Sequence, residues 1–259
     1  MLPSIVPGRL SVIIPAYNEE QAILTTIRET AAALDGLDFE IIVVDDGSSD
    51  TTHSRVQQVA AADERVQAVR YDLNAGKGHA LRYGFGFATG ERVAFLDADL
   101  DLHPRHLLQF QQLMNETGAD VVIGSKRHPQ SQLDYPWHRR VVSSVYFFLV
   151  KLMFGLPIRD TQTGVKLFKR EVLARIFPRL LVKNFAQDLE LLVVAHHLGY
   201  RIVEAPVVLE FSRGSYGRIG LGAIWATWWD TMAVFYRMTL LRFYDEPPAG
   251  SEAARGRRE

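Results

Sequence analysis

Short apolar runs alternate with stretches of helical spacing along the first half of the chain. The runs predicted as buried strands cover residues 10–14, 40–44, 66–70, 93–96 and 120–123. The segments predicted as helices cover residues 19–34, 51–62 and 79–88, and a further helix opens at Pro104. Strands that are apolar throughout and alternate with helices are typical of a parallel sheet covered on both faces. The pattern therefore predicts an α/β fold with a mostly parallel, Rossmann-like sheet.

The second half of the chain is less regular. Helical spacing is found over residues 141–158, 170–177, 187–198 and 219–244, and residues 201–209 alternate as in a strand. We interpret 141–158 as a buried or interfacial helix. No run of 18 apolar residues without charge occurs, so we expect no membrane-spanning helix, and residues 1–9 lack the apolar core of a signal peptide.

These patterns predict four segments. Residues 1–9 form an N-terminal extension and residues 10–218 the main α/β domain. Residues 219–244 form an amphipathic helical region that faces an interface, and residues 245–259 are rich in Pro, Gly, Ala and charge, which predicts a disordered tail.

Three polar clusters follow predicted strands directly. They are the segments 15–19, 45–50 and 97–101. In open α/β sheets the carboxyl ends of the strands meet at one edge, and ligands bind there. The sequence therefore predicts one ligand site built from all three clusters, in which Asp45 and Asp46 can accept hydrogen bonds from a base N–H or a ribose hydroxyl.

Asp97, Asp99 and Asp101 would repel one another unless a cation lies among them. Carboxylate oxygens suit Mg²⁺ or Mn²⁺, which bind one or two carboxylates together with phosphate oxygens. The alternative is a solvated acidic turn that caps the next helix. Lys77, in a glycine-flanked turn without the spacing of a P-loop, is either a diphosphate or base contact or part of a plain surface turn.

Composition narrows the classes of function. The net charge of −1 argues against nucleic acid as a partner, and the absence of cysteine excludes disulfides, thiolate zinc sites and a cysteine nucleophile. Residues 151–183 nevertheless carry eight Lys or Arg against two acids. Together with tryptophans at 225–229, this predicts a membrane-facing surface, the alternatives being a solvated face and packing of the tryptophans against the core.

Six motifs in this order resemble family 2 glycosyltransferases of the GT-A fold, and in particular the synthases that attach glucose or mannose to dolichyl or polyprenyl phosphate. The motifs lie at residues 12–20, 43–48, 76–78, 97–99, 159–168 and 185–190. The resemblance runs from Ser11 to about Tyr244 and implies a GT-A catalytic domain followed by amphipathic, membrane-facing helices.

The resemblance also implies roles for individual residues. The nucleoside would be held by Pro15, Tyr17, Glu19, Val44 and Asp46. Asp97 and Ala98 would contact base, ribose and sugar, Asp99 and Asp101 would bind the metal, and Asp188 would face the sugar. The donor diphosphate and acceptor phosphate would be bound by Arg127, Arg139 or Arg140, and Arg213.

Two positions depart from the pattern of the family. Relatives often carry Gln or Ser where this chain has Asp101, and an acid there can still bind metal. The synthases commonly have a Gly-x-Ser-Lys-like run where this chain has Arg213 to Arg218, so Arg218 is the candidate to replace the lysine.

The resemblance implies an inverting transfer of a hexose from a nucleotide-sugar to a polyprenyl or dolichyl monophosphate. UDP-glucose is the first expected donor and GDP-mannose the second. The alternatives are a transferase of the same fold with a non-lipid acceptor and a non-catalytic membrane protein that binds nucleotide-sugar. The expected location is the cytoplasmic face of a membrane, with the chain bound peripherally.

Overall fold

The computed structural model of the chain describes residues 2–131, 137–182, 186–209 and 221–245. Of residues 137–145, 221–224 and 226 it describes the backbone alone. The tail predicted over 245–259 lies outside the described residues except for Asp245, which ends a short 3-10 helix at Phe243–Asp245.

Seven strands and eight α-helices make up the described part of the chain. The strands are β1 Val6–Ala16, β2 Phe39–Asp46, β3 Val66–Tyr71, β4 Gly90–Phe95, β5 Val121–Ser125, β6 Lys166–Lys169 and β7 Ile202–Pro206. The helices are α1 Ile23–Ala33, α2 Thr52–Ala62, α3 Lys77–Phe85, α4 His106–Thr117, α5 Trp137–Phe154, α6 Arg170–Ile176, α7 Gln187–His197 and α8 Leu221–Thr239.

All seven strands form a single sheet in the order β3-β2-β1-β4-β6-β5-β7. Strands β1 to β4 pair in parallel, as do β5 and β7, whereas β6 pairs antiparallel with both β4 and β5. The mostly parallel sheet predicted from the sequence is confirmed. Strand β6 was not predicted, because lysines at both ends of only four residues hide its apolar pair, Leu167 and Phe168.

Alternate side chains of the strands enter two hydrophobic cores, one on each face of the sheet. On one face Ile13, Val44 and Phe95 pack with α3, α6 and α7. On the other face Ile14 and Val43 pack with α1, α2 and α4. Because both faces are covered, the apolar residues within each strand are buried on either side, as continuous apolar runs predict.

The N-terminal boundary differs from the prediction. Strand β1 begins at Val6, which pairs with Gly90, so residues 6–9 belong to the sheet and not to an extension. Pro7, Gly8 and Arg9 carry no apolar signal, and the register of β1 against β4 shifts between Val6 and Leu10. A local hydrophobic pattern therefore detects only the buried part of this strand.

Helices α5 and α8 pack side by side. The hydroxyls of Tyr146 and Thr231 are 3.1 Å apart, and the rings of Phe154 and Phe235 meet edge to face. Their outer surface exposes large apolar side chains, and we call these six residues the α5–α8 face: Phe148, Leu152, Trp225, Trp229, Tyr236 and Leu240. Among the described helices, none combines the length and the apolar composition that crossing a bilayer requires.

Candidate active site

The carboxyl ends of β1, β2 and β4 border an open cleft of about 220 Å³. Because β6 runs antiparallel to β4, with Lys166 opposite Phe95, the loop that precedes β6 reaches the same edge. The cleft is lined by Pro15, Ala16, Tyr17, Glu19, Asp46, Lys77, Asp97, Ala98 and Asp99. The three polar clusters predicted to form one site therefore do lie together.

Hydrogen bonds between neighbouring loops fix the wall of the cleft formed after β1 and β2. The backbone N–H of Asn18 donates to the Ser48 hydroxyl at 3.0 Å, and the Asn18 side chain accepts from the N–H of Ser49 at 2.9 Å. Asn18 has a positive φ of 54°, which asparagine tolerates better than most residues. The N–H of Glu19 donates to Thr52 at 2.9 Å, so the loop is held on both sides of Asn18.

Asp46 holds the loop that leads into α3. Its two carboxylate oxygens accept backbone N–H groups of Ala75 and Gly76 at 2.7 and 3.0 Å. Asp45, in contrast, is 1% exposed and accepts the N–H of Ser48 at 2.9 Å, so it supports its own turn. Of the two aspartates, Asp46 lines the cleft, where its carboxylate already has two backbone donors.

Lys77 begins α3 and extends into the site. Its ammonium group lies 2.5 Å from Oδ1 of Asp97 and 3.9 Å from Oδ2 of Asp188. Burial disfavours the charged amine, but the carboxylates of Asp97 and Asp188 outweigh it and raise the pKa of Lys77 above its usual range. The interpretation of Lys77 as a plain surface turn is therefore wrong, because the lysine is part of the charged centre of the cleft.

The Asp97 carboxylate rests directly on the loop that precedes β6. A Cβ atom at Gly164 would overlap this carboxylate, so only glycine fits there. Burial would raise the pKa of Asp97, but the charges of Lys77 and Lys166 outweigh it and hold that pKa below the ordinary value. Asp97 is thus an ionised group fixed between two lysines and a glycine.

Asp188 lies in the first turn of α7, which packs against the start of α3. Its Oδ1 accepts a hydrogen bond from Lys166 at 2.9 Å, and the Lys166 ammonium also donates to the Thr163 carbonyl at 2.5 Å. The neighbouring Gln187 packs so tightly on Gly78 that a Cβ there would lie 2.6 Å from the Gln187 side chain. The starts of α3 and α7 are therefore fixed against each other at the site.

Sequence reasoning missed Lys166, which it counted within a basic, membrane-facing segment. Lys166, Arg170 and Arg179 are all buried, so three of the eight cations counted over 151–183 do not face solvent or a membrane. Arg170 donates to the Ala88 carbonyl and stacks over the ring of Phe85. The position of Lys166, two residues after Gly164, was the only hint in the sequence that this lysine belongs to the site. The sequence alone does not show whether a lysine is buried.

Asp99 and Asp101 adjoin the cleft in a tight turn. The N–H of Asp101 donates to Oδ1 of Asp99 at 3.1 Å, and Leu100 between them has a positive φ of 60°. Burial, followed by the charge of Asp97, raises the pKa of Asp99 to about 6. The ionised form of Asp99 is therefore unfavourable by itself, and a nearby cation would stabilise it.

These two carboxylates fit a divalent cation whose remaining ligands are oxygens of a bound phosphate. In the described ranges no three His, Cys, Asp or Glu side chains converge on one metal position. Mg²⁺ and Mn²⁺ accept such a partial protein site, because one or two carboxylates and phosphate oxygens complete their coordination. The donor set of Asp99 and Asp101 therefore suits these ions, and their role as metal ligands stays a prediction.

Of the arginines predicted to bind phosphate, only Arg127 has a described side chain. Arg127 lines a separate, smaller pocket with Arg159 and Asp160, and its guanidinium stacks over the ring of Phe147 at 5.0 Å. Arg139 and Arg140 lie on α5, where only the backbone is described, and Arg213 and Arg218 lie outside the described residues.

Val44 differs from its predicted role as a nucleoside contact. Its side chain is fully buried and packs on the first core against the position of Gly84 in α3. Helix α3 covers β2 at Val44, so the Val44 side chain is buried in the core and does not line the cleft.

Comparison with known proteins agrees with this architecture. Residues 11–177 match the sequence profile described as Glycosyl transferase family 2. Dolichyl-phosphate beta-glucosyltransferase ALG5A of Trichomonas vaginalis is 33% identical over 247 residues, which cover 91% of this chain and 76% of that protein. Dolichyl-phosphate beta-glucosyltransferase of Drosophila melanogaster is 35% identical over 214 residues, covering 76% and 66%.

Glycosyltransferase AglD of Haloferax volcanii is 33% identical over 231 residues. These residues cover 85% of this chain but only 37% of AglD, so the chain spans little more than a third of that relative.

Among solved structures, glucosyl-3-phosphoglycerate synthase from Mycobacterium tuberculosis, in complex with Mn²⁺, UDP-glucose and phosphoglyceric acid, superposes with a TM-score of 0.67. The two chains are 22% identical, and the match covers 94% of this chain and 82% of the synthase. This likeness confirms the predicted GT-A-like fold.

Proposed function

Because the chain belongs to glycosyl transferase family 2, we propose that it transfers a hexose from a nucleotide-sugar to the phosphate of a polyprenyl or dolichyl monophosphate. The names of the Trichomonas and Drosophila relatives support the lipid phosphate and favour glucose as the sugar. UDP-glucose is therefore the first donor to test and GDP-mannose the second.

The pairing of Asp188 with two lysines is the observation that favours a phosphate as the acceptor group. Asp188 of α7 adjoins Lys77, which lines the cleft: Lys166 binds one of the Asp188 oxygens, and Lys77 lies 3.9 Å from the other. Because Lys166 binds one oxygen and the Lys77 ammonium lies near the other, Asp188 is poorly placed to take a proton from an acceptor hydroxyl. An acceptor whose oxygen is already anionic, such as a phosphate monoester, needs no such base.

In the proposed reaction an oxygen of the acceptor phosphate attacks the anomeric carbon of the sugar. The bond from that carbon to the diphosphate breaks, and the diphosphate leaves with the electron pair. Attack from the opposite side inverts the configuration, so an α-linked donor yields a β-linked lipid-phosphate sugar.

The residues of the cleft divide the work of this step. Pro15, Tyr17 and Asp46 border the space for the nucleoside, and Asp97 with Ala98 borders the space towards the sugar. The Lys77 ammonium is positioned to favour negative charge on the departing diphosphate. A bound Mg²⁺ or Mn²⁺, held by Asp99 and Asp101, would supply further positive charge to the same leaving group.

The second pocket and the α5–α8 face supply the acceptor side of the proposal. Arg127 and Arg159 line the pocket with aromatic residues of α5, a combination that suits a phosphate attached to an apolar chain. The exposed tryptophans of α8 favour a bilayer interface. We therefore propose that the chain binds peripherally to a membrane surface that presents the lipid phosphate.

Transfer of label to lipid tests this function. Purified protein is incubated with polyprenyl phosphate, Mn²⁺ or Mg²⁺, and either radiolabelled UDP-glucose or radiolabelled GDP-mannose. We expect label from UDP-glucose in the organic phase, and its loss when EDTA removes the metal. Label that stays in water-soluble product would indicate a non-lipid acceptor, and donor binding without turnover would indicate a non-catalytic binding protein.

A further inference from the structure

Lys166 occupies a position that belongs to the hydrophobic core. In the β4–β6 pair it lies opposite Phe95, and strand alternation places Lys166 and Phe168 on the same face of the sheet. The rings of Phe168 and Phe95 pack together within that core at 5.0 Å. The Lys166 side chain is only 2% exposed, so its ammonium group is buried.

Stability alone does not account for a lysine here. Removing an ammonium group and a carboxylate from water is unfavourable, and apolar residues of similar volume are often as stable as a buried ion pair or more so. An apolar side chain at position 166 would extend the contact of Phe95 and Phe168. The buried charge therefore points to a role in the neighbouring site.

The contacts of Lys166 fix one particular carboxylate. The ammonium donates to the Thr163 carbonyl at 2.5 Å and to Oδ1 of Asp188 at 2.9 Å. The other oxygen of Asp188, Oδ2, lies on the side of Lys77, which lines the cleft. Asp188 is thus bound by Lys166 through one oxygen, while its second oxygen lies 3.9 Å from the Lys77 ammonium at the edge of the cleft.

We propose that Lys166 is a positioning residue that holds Asp188 so that its Oδ2 accepts a hydrogen bond from a hydroxyl of the transferred hexose. This inference rests on the proposed function, since it requires a hexose-bearing donor. It assigns the recognition of the sugar, as distinct from the nucleotide, to a buried ion pair formed by β6 and α7. Lys166 itself touches no substrate.

The test compares the affinities of UDP-glucose and UDP, measured by calorimetry with Mn²⁺. In Lys166→Met we expect the advantage of UDP-glucose over UDP to fall about tenfold, the effect of one hydrogen bond to a charged group, while UDP binding stays within about twofold of wild type. Lys166→Arg keeps a cation and should retain part of the advantage. Equal losses for both ligands, or no loss, would overturn the proposal.

Lys169→Met is the matched control. Lys169 lies on the same strand and pairs with Asp120 at 2.7 Å, away from the cleft. It should change neither affinity, and a sugar-specific loss in this variant equal to that of Lys166→Met would also overturn the proposal.

The double variant Lys166→Met with Asp188→Asn removes both charges, which avoids leaving an unpaired buried carboxylate if Lys166→Met alone does not fold. Because Lys166 is proposed to act only through Asp188, the double variant and Asp188→Asn should lose the same sugar-specific affinity. A further loss in the double variant would overturn the proposal.

The result is separable from the test of the proposed function. A wild-type chain that transfers label to lipid, but whose affinity for UDP-glucose does not exceed that for UDP, would overturn the role of Lys166 and leave the transferase function standing.

Discussion

The carboxyl edge of the sheet and the α5–α8 face place opposite kinds of side chain in unfavourable surroundings. At the edge, Lys166 is buried and Lys77 and Asp97 are only partly exposed, although all three are charged. On the face, Trp229 and Leu152 are apolar, yet 67% and 73% of their surface is exposed. Both arrangements lower the free energy of unfolding. A bound ligand would offset this loss in each region, but the two regions suit different ligands.

This contrast separates two sets of effects. The edge is suited to a small, charged ligand, because its lysines and aspartates are held by hydrogen bonds between loops. The face is suited to an extended apolar surface, because its large apolar side chains are exposed. Variants at the edge should therefore change the reaction with or without vesicles, whereas variants on the face should change vesicle association and, only through it, transfer in vesicles.

The largest expected effect is at Asp99. Asp99→Asn keeps the size of the side chain but removes a proposed metal ligand, so we expect transfer to fall about 100-fold or more. The measurement is the rate of label transfer to polyprenyl phosphate, with thermal unfolding as the check on folding. Asp63→Asn, at a surface aspartate paired with Arg65, is the control and should keep full activity. Full activity in Asp99→Asn would remove Asp99 from the mechanism.

Lys77→Met should have the next largest effect. It removes the cation nearest to Asp97, and we expect kcat/KM for the donor to fall about tenfold to a hundredfold. Initial rates over a range of UDP-glucose concentrations give this value. Vesicle flotation of the same variant should match wild type, and a variant that loses vesicle binding instead would break the separation between the two regions.

Metal binding should depend on pH through Asp99. In the metal-free fold its pKa is raised to about 6 from an ordinary value of 3.8, so the protonated form is favoured. The ionised form therefore destabilises the metal-free fold progressively as the pH rises from 3.8 through 6. A cation competes with that proton, so Mn²⁺ affinity should fall about tenfold per pH unit below 6 and level off above it.

Calorimetric titration with Mn²⁺ at pH 5, 6 and 7 measures this dependence. Asp99→Asn should lose most of its affinity for Mn²⁺, and the remaining affinity should no longer change near pH 6. A wild-type Mn²⁺ affinity that stays constant from pH 5 to 7 would show that Asp99 does not bind the ion.

The smallest expected effect on transfer is on the α5–α8 face. Trp229→Ser combined with Leu152→Ser should weaken partitioning into anionic vesicles about tenfold, because less apolar surface enters the bilayer. Transfer in vesicles should fall only a few-fold, and binding of UDP-glucose in solution should be unchanged. Leu37→Ser, at an exposed leucine beyond α1, is the control and should not alter partitioning. An unchanged vesicle affinity in the double variant would remove the face from the proposal.

The fold was largely predictable because its signals are local. Residues 41–44 and 93–96 are apolar throughout, and the strands found there, β2 and β4, pair with β1 as a parallel sheet requires. The position of the site followed from the same pattern, since polar clusters after parallel strands meet at one edge. Strand β6 was not predicted because its four residues, which begin and end with lysine, give too short a hydrophobic pattern.

Individual roles within the site were less predictable. Val44 and Asp46 are two residues apart in β2, but Val44 enters the core, whereas Asp46 lines the cleft and holds the loop before α3. The end of the strand separates residues that enter the core from residues that line the cleft. A sequence pattern locates a strand end only to within a few residues.

The sequence by itself determined the mostly parallel sheet, the three polar clusters and their meeting at one edge, because these depend on residues close together in the chain. Only the tertiary structure decided that Lys166 is buried beneath Asp188 and that Lys77 bridges Asp97 and Asp188. These pairs join α3, β4, β6 and α7, whose sequence positions are far apart. The burial of a charge depends on which distant segments pack around it, and the chemical identity of a lysine contains no information about them.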